Sequence, residues 1–252
     1  MTKTKQTKQT KQTRHMKNKT NTTITPELNA ESWKLVSMIL SNTDRTLLYG
    51  VPGTGKTFAA YETTKTVYTV TLTPETPAAE LRGHYVPVEG KFIWQDGPAL
   101  RAWREGARLV VNEVNLASGD ALAFLLNLLD DARNARMTLP TGETVTPAPG
   151  FQCVATMNGQ PDELSEALQS RFPVSLEIVA PNPAAIASLP HDLQNAALGS
   201  TLTQDAKLRI NLRSWFAFAT LRERIGSKPA AAAVFGERAQ EILDSLTVAA
   251  AK

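Results

Sequence analysis

Apolar positions along the chain fall into two alternating patterns. Short runs of apolar and β-branched residues, about five long, occur at residues 45–49, 66–72, 109–112, 152–156 and 174–178. The run at 45–49 reads as a short buried-type strand, the β-branched run at 66–72 as a second, and the other three as further strands. Helical spacing fills the intervals. Thr25-Pro26-Glu27 reads as a cap, an N1 proline and a first-turn acid opening a helix to about residue 40. Further helices are predicted from Lys56 to about Lys65, over residues 100–105, and after the cap residue Ser118, where Leu122, Leu125, Leu126 and Leu129 share one face. Residues 73–98, rich in Pro, Gly and Thr, predict a loop with a small hairpin, and Pro140-Thr141-Gly142 marks the turn of another. Strands alternating with helices predict an α/β fold: a five-stranded parallel sheet with helices on both faces. Beyond Ala180 the pattern changes. Pro181, Pro183 and Pro190 punctuate the chain, then Ala- and Leu-rich helical segments follow, including one over residues 212–224. This divides the chain into an α/β domain at 25–180 and a small all-helical lid domain at 181–252.

Composition changes this picture little. The 252 residues are 42% hydrophobic and 20% charged, with a net charge of +3, which is ordinary for a globular protein able to bury a sizeable core. No apolar run approaches the roughly 18–20 residues of a membrane helix. No apolar segment follows the basic N-terminus, so a secretory signal is not expected. Cys153 is the only cysteine, which excludes an intrachain disulfide and points to a reducing cytoplasm. His15, His84 and His191 are too scattered to suggest a zinc enzyme. The charge is unevenly placed. Residues 1–24 carry Lys3, Lys5, Lys8, Lys11, Arg14, Lys17 and Lys19 with no acid before Glu27, and they repeat the tripeptide Lys-Gln-Thr. The remainder is mildly acidic. Residues 1–24 therefore read as a disordered basic tail, or as an arm for nucleic acid or another acidic partner.

The strongest chemical signal is Gly50-Val51-Pro52-Gly53-Thr54-Gly55-Lys56-Thr57, a phosphate-binding loop placed between a predicted strand and a predicted helix. Its glycines let backbone N–H groups turn toward phosphate oxygens, Lys56 reaches the β- and γ-phosphates, and the Thr57 hydroxyl suits Mg²⁺. The strand at 109–112 leads into Glu113, placed to polarise an attacking water as a general base, although an acid at a strand end is also common for structural reasons. Asn158 follows the next strand and either orients the same water or serves only as a turn residue. Arg171 precedes Phe172 at the entry to the fifth strand, a position for an arginine finger or for a surface ion pair with Glu163 or Glu166. Arg213 opens a predicted helix of the second domain and either reaches the nucleotide or caps a neighbour.

Taken in order, these segments resemble the AAA+ ATPases, and among them the MoxR-like group with its midasin-type, chelatase and gas-vesicle relatives. The resemblance spans about residues 26–225. It rests on the phosphate-binding loop, on Phe92-Ile93-Trp94-Gln95-Asp96-Gly97-Pro98-Ala99-Leu100, and on Asn112-Glu113-Val114-Asn115-Leu116-Ala117. It continues through Phe151-Gln152-Cys153-Val154-Ala155-Thr156-Met157-Asn158 and Leu164-Ser165-Glu166-Ala167-Leu168-Gln169-Ser170-Arg171-Phe172. The resemblance implies a P-loop NTPase core followed by a helical lid. It makes Lys56 and Thr57 the Walker A lysine and Mg²⁺ ligand, Glu113 the Walker B glutamate, Asn158 the sensor I asparagine and Arg171 an arginine finger acting on a neighbouring subunit. Arg213 matches sensor II, with Leu212 where a proline often stands. The hairpins around Glu89-Gly90-Lys91 and Pro140-Thr141-Gly142 match inserts that line the central pore of such rings. One departure is Asn112, where the family places an Asp that holds Mg²⁺ through water, so weaker Mg²⁺ affinity is expected. The implied function is ATP hydrolysis with Mg²⁺ in a homo-oligomeric ring, a hexamer, that remodels a protein client, in some relatives beside a von Willebrand A-domain protein. A non-hydrolysing ATP-gated scaffold and a nucleic-acid-directed motor are the competing expectations.

Overall fold

The computed structural model describes residues 22–24, 30–63, 65–203, 205 and 208–250. Most of the expected tail and the expected cap at Thr25 lie outside the described residues. In chain order the elements are β1 (Thr22–Ile24), α1 (Ala30–Asn42), β2 (Arg45–Tyr49), α2 (Lys56–Tyr61), β3 (Val67–Thr71), α3 (Ala78–Arg82), β4 (Gly83–Val88), β5 (Lys91–Asp96), α4 (Pro98–Glu105) and β6 (Arg108–Asn112). They continue with α5 (Gly119–Leu128), β7 (Met137–Thr138), β8 (Thr144–Val145), β9 (Gln152–Thr156), α6 (Glu166–Gln169) and β10 (Val174–Ile178). Five helices follow: α7 (Pro183–Ala187), α8 (His191–Leu202), α9 (Leu212–Ile225), α10 (Ser227–Phe235) and α11 (Ala239–Ala250).

The five expected strands form one parallel sheet, and β1, inside the segment read as tail, adds a sixth at the edge in the order β1-β10-β2-β9-β6-β3. The expected disorder of residues 1–24 is corrected at 22–24, where a polar sequence pairs through its backbone with β10. Every residue of β6 and of β9 is buried. Successive side chains alternate between two cores. Leu109, Val111, Cys153 and Ala155 pack on one face with Leu81, Leu100, Trp103 and Leu125. Val110 and Val154 pack on the other with Trp33, Val36, Leu40 and Ala59. A third cluster lies within the helices after Ala180, around Leu193, Trp215, Phe218 and Ile242. Because helices cover both faces, the carboxyl edge of the sheet is where a parallel sheet leaves strand ends free for chemistry.

Two segments differ from the sequence reading. Helix α2 stops at Tyr61 rather than near Lys65, since Glu62 turns extended at φ −68° and ψ 94° and a threonine-rich stretch follows. Residues 73–98 hold α3 as well as the β4–β5 hairpin. Asp120 supplies the start of α3 from a distance, its carboxylate accepting from the Ala78 N–H at 3.1 Å. Both expected hairpins are present. Arg104 on α4 ties them together, through Asp96 at 2.7 Å and a two-pronged pair with Glu143 at 2.6 and 2.7 Å. Phe92 and Ile93, near the tip of β4–β5, are exposed. No helix among the described residues is long and apolar enough to cross a membrane.

Candidate functional site

The segment between β2 and α2 is a tight glycine-dependent loop. Gly50 and Gly53 hold φ at 116° and 77°, conformations that side chains resist. Space is also closed at these positions. A Cβ on Gly50 would lie 2.8 Å from the Ile178 carbonyl oxygen, and one on Gly53 would lie 2.4 Å from Asn211 Cβ. The loop delivers Lys56 to the first turn of α2, where it is buried at 6% exposure. Its Nζ donates to the Gly50 and Val51 carbonyls at 3.0 and 2.7 Å and to Asn158 Oδ1 at 3.0 Å. Burial lowers the Lys56 pKa to about 8; the Glu113 carboxylate opposes the shift and the Arg213 guanidinium adds to it.

The ends of β6 and β9 complete the site. They are level because Asn112 pairs with Thr156 in register. Glu113 stands just past β6 in left-handed geometry, φ 54° and ψ 46°, a conformation that costs a non-glycine residue energy. The Asn158 amide donates to both Glu113 oxygens, at 3.1 and 3.4 Å, so Asn158 bridges Glu113 and Lys56. Asn112 Oδ1 accepts from the Thr57 hydroxyl at 3.1 Å and the Thr156 hydroxyl at 2.9 Å, and its Nδ2 donates to Thr69 Oγ1 at 3.4 Å. The Thr57 and Asn112 oxygens are the hard, neutral donors that suit a cation keeping most of its water, as Mg²⁺ does. Among the described residues no cluster of three or more His, Cys, Asp or Glu could hold a metal.

A cavity of about 240 Å³ opens over these groups. One wall is the loop with Glu113, Thr156, Met157 and Asn158; the other is Ala185, Ser188, Leu212, Arg213 and Phe216 from α7 and α9. Both helices start against the loop. The Asn182 N–H donates to the Thr54 carbonyl at 2.9 Å while its side chain caps α7 at 2.8 Å, and Asn211, which caps α9 at 3.0 Å, lies against Gly53. The structure thus brings Gly50–Thr57, Asn112, Glu113, Asn158 and Arg213 together. Arg171 is elsewhere and does not line the cavity. Its Nε donates to the Leu126 carbonyl at 3.0 Å and its Nη2 lies 3.7 Å from Asp130, in place of the Glu163 or Glu166 pairing considered from sequence. Sequence reasoning missed Phe58 and Phe216, which line the cavity, and Asn182 and Asn211. The pair Asn182-Pro183 is itself a legible cap-and-N1 signal. Its contact with a loop more than a hundred residues earlier has no local signature.

Residues 45–172, half of the chain, match the AAA domain (dynein-related subfamily). The chain belongs to this AAA+ family. Protein NorQ of Paracoccus denitrificans is 38% identical over 149 residues, which cover 55% of this chain and 53% of NorQ. Midasin of Giardia intestinalis is 38% identical over 105 residues, which cover 38% of this chain and 2% of midasin. The chain thus spans about half of NorQ and a small piece of midasin, and these kinships place it in the MoxR-like, midasin-type group. Among solved structures, NtrX from Brucella abortus shares the fold, with a TM-score of 0.55 at 16% identity over 78% of this chain and 52% of NtrX.

The lowered pKa gives this AAA+ site a pH signature. A phosphate ligand binds the protonated form of Lys56, so binding above a pKa of about 8 requires proton uptake. ADP affinity, measured by calorimetry, is expected to be flat below that pKa and to fall about tenfold per pH unit above it. Lys56→Met should bind weakly with no such slope. A wild-type affinity independent of pH across this range would contradict the assignment.

Proposed function

We propose that this AAA+ protein is a cytoplasmic ATPase that works as a homo-oligomeric ring, a hexamer, and uses ATP turnover to remodel a protein partner, a von Willebrand A-domain protein being one candidate. The observation that carries this reading is the connected set at the sheet's carboxyl edge. Lys56, Asn158 and Glu113 form one chain of hydrogen bonds, and Thr57, Asn112 and Thr156 form a second beside it.

Each group has a chemical task. Lys56 and the loop N–H groups bind the β- and γ-phosphates. Glu113 takes a proton from the attacking water, and Asn158, already bonded to that carboxylate, holds the water in line. Thr57 and Asn112 would hold Mg²⁺, which would supply charge neutralisation at the transferring phosphoryl group. Phe58 and Phe216 line the cavity and are the aromatic residues available to pack against the base. Arg213 reaches the nucleotide from the helical side. Arg171, which the family resemblance makes an arginine finger, acts in this reading on the nucleotide of a neighbouring subunit, which makes the ring a condition for turnover; its place outside its own cavity is compatible with that role. The exposed Phe92 and Ile93 hairpin supports engagement of a protein client.

Asn112 favours a second reading, an ATP-gated scaffold without hydrolysis. Mg·ATP turnover per subunit, followed against protein concentration, separates the two. Specific activity is expected to rise with concentration, and Arg171→Ala is expected to lose about 10³-fold or more in kcat while still binding ATP. Background turnover at every concentration would favour the scaffold. Glu113→Gln should bind ATP and lose at least about 10²-fold in kcat; unchanged turnover would remove Glu113 from its role.

Asn112→Asp is expected to lower the half-saturating Mg²⁺ concentration about tenfold, ~1.4 kcal/mol, within the attraction of unit charges about 4 Å apart. The fold should accept the change. Thr69 takes a hydrogen bond from Tyr61 at 2.8 Å and keeps its own proton free to donate to the new carboxylate. An unaltered Mg²⁺ dependence would show that Asn112 does not face the cation.

A further inference from the structure

Arg108 is completely buried at the first position of β6, at the opposite end of the strand from Asn112 and Glu113. Among the described residues it makes no ion pair with a carboxylate. Its Nη1 donates to the Ala60 and Glu62 carbonyls, both at 3.2 Å, and its Nη2 donates to the Leu40 carbonyl at 2.8 Å and to Gln152 Oε1 at 3.0 Å. Leu40 lies in the last turn of α1, and Ala60 and Glu62 end α2. These carbonyls have no partner within their own helices and carry the negative end of the helix dipole, which offsets a buried cation without a carboxylate. Gln152, paired with Arg108 across β6 and β9, extends the brace, its Nε2 donating to Leu40, Ser41 and Thr43 carbonyls at 3.2–3.3 Å.

This brace holds the back of the very elements whose fronts carry the chemistry. Helix α2 has only six residues, with Lys56 and Thr57 at one end and the carbonyls held by Arg108 at the other. Its front end joins a glycine loop and cannot fix the helix axis alone. Strands β6 and β9 deliver Asn112, Glu113 and Asn158 and start with Arg108 and Gln152.

We propose that Arg108 is a positioning residue for ATP hydrolysis: by gripping the carboxyl end of α2 from β6, it sets the offset that brings Thr57 to Asn112 and Lys56 to Asn158. This rests on the ATPase reading above. A cation of different shape could neutralise the helix ends without setting their distance, because the planar fork spans two helices at once.

The test compares full-length wild type, Arg108→Lys and Arg108→Met, each first shown to be folded at the assay temperature by melting. Turnover and the Mg²⁺ dependence of ATP affinity, the latter by calorimetry, are then measured. The proposal expects kcat to fall roughly 10- to 100-fold with KM for ATP within a few-fold, as for displacement of reacting groups from a distance. It also expects the half-saturating Mg²⁺ for ATP binding to rise, with Lys less impaired than Met. Wild-type kcat and Mg²⁺ dependence in either folded variant would overturn it. If both variants are unfolded, Arg108 is a stability residue and the proposal also fails. The binding readout needs no hydrolysis, so a wild type that binds Mg·ATP without turnover would sink the ATPase reading while the Mg²⁺ shift still decides Arg108. A wild type that does not bind ATP ends both.

Discussion

The ammonium of Lys56 sits in a place that would be unfavourable without its neighbours. It is buried, its pKa is lowered by that burial, and neutral oxygens from Gly50, Val51 and Asn158 replace its water. That one requirement constrains the surroundings. Two of its partners are carbonyls of its own loop, which the chain can present only by taking left-handed backbone at glycines. The third, Asn158, must come from β9, so the ends of β2 and β9 have to be level. Asn158 also donates to Glu113, and the strained backbone of Glu113 keeps that carboxylate within reach. The same stored positive charge is what a phosphate ligand meets on arrival.

Asn112 follows a related logic. A carboxylate in its place would bring a negative charge to a position only 9% exposed. The amide instead satisfies two hydroxyl donors and one hydroxyl acceptor without any charge. The amide is therefore engaged with its neighbours at this position without a carboxylate. The parallel sheet gives this arrangement its rigidity. Strands β6 and β9 are buried along their whole length, and polar networks close them at both ends, with Arg108 and Gln152 behind and the candidate site in front.

Much of this was legible in the sequence because the physics is local. Short apolar and β-branched runs marked the strands β2, β3, β6, β9 and β10, and the glycine loop with Lys56 and Thr57 marked the site between a strand and a helix. Glu113 and Asn158 were found as polar residues at strand ends. What escaped was set by distant partners. Thr22–Ile24 is too polar to read as a strand and exists through backbone pairing with β10. Helix α3 begins where Asp120 takes the Ala78 N–H. Asn182 and Asn211 look like ordinary helix caps until folding brings them against Thr54 and Gly53. Arg108 lies just before the apolar run at 109–112, where nothing local marks it as buried; the converging ends of α1 and α2 explain its burial.

The claim on which the rest depends is that Lys56 and its loop bind a nucleoside triphosphate. Equilibrium binding of ATP to the full chain, by calorimetry at neutral pH with and without Lys56→Ala, tests it without reference to turnover. Saturable binding at one site per chain, competed by ADP and lost in a folded Lys56→Ala protein, is the predicted result. Binding of equal strength in the two proteins, or none in the wild type, would contradict it.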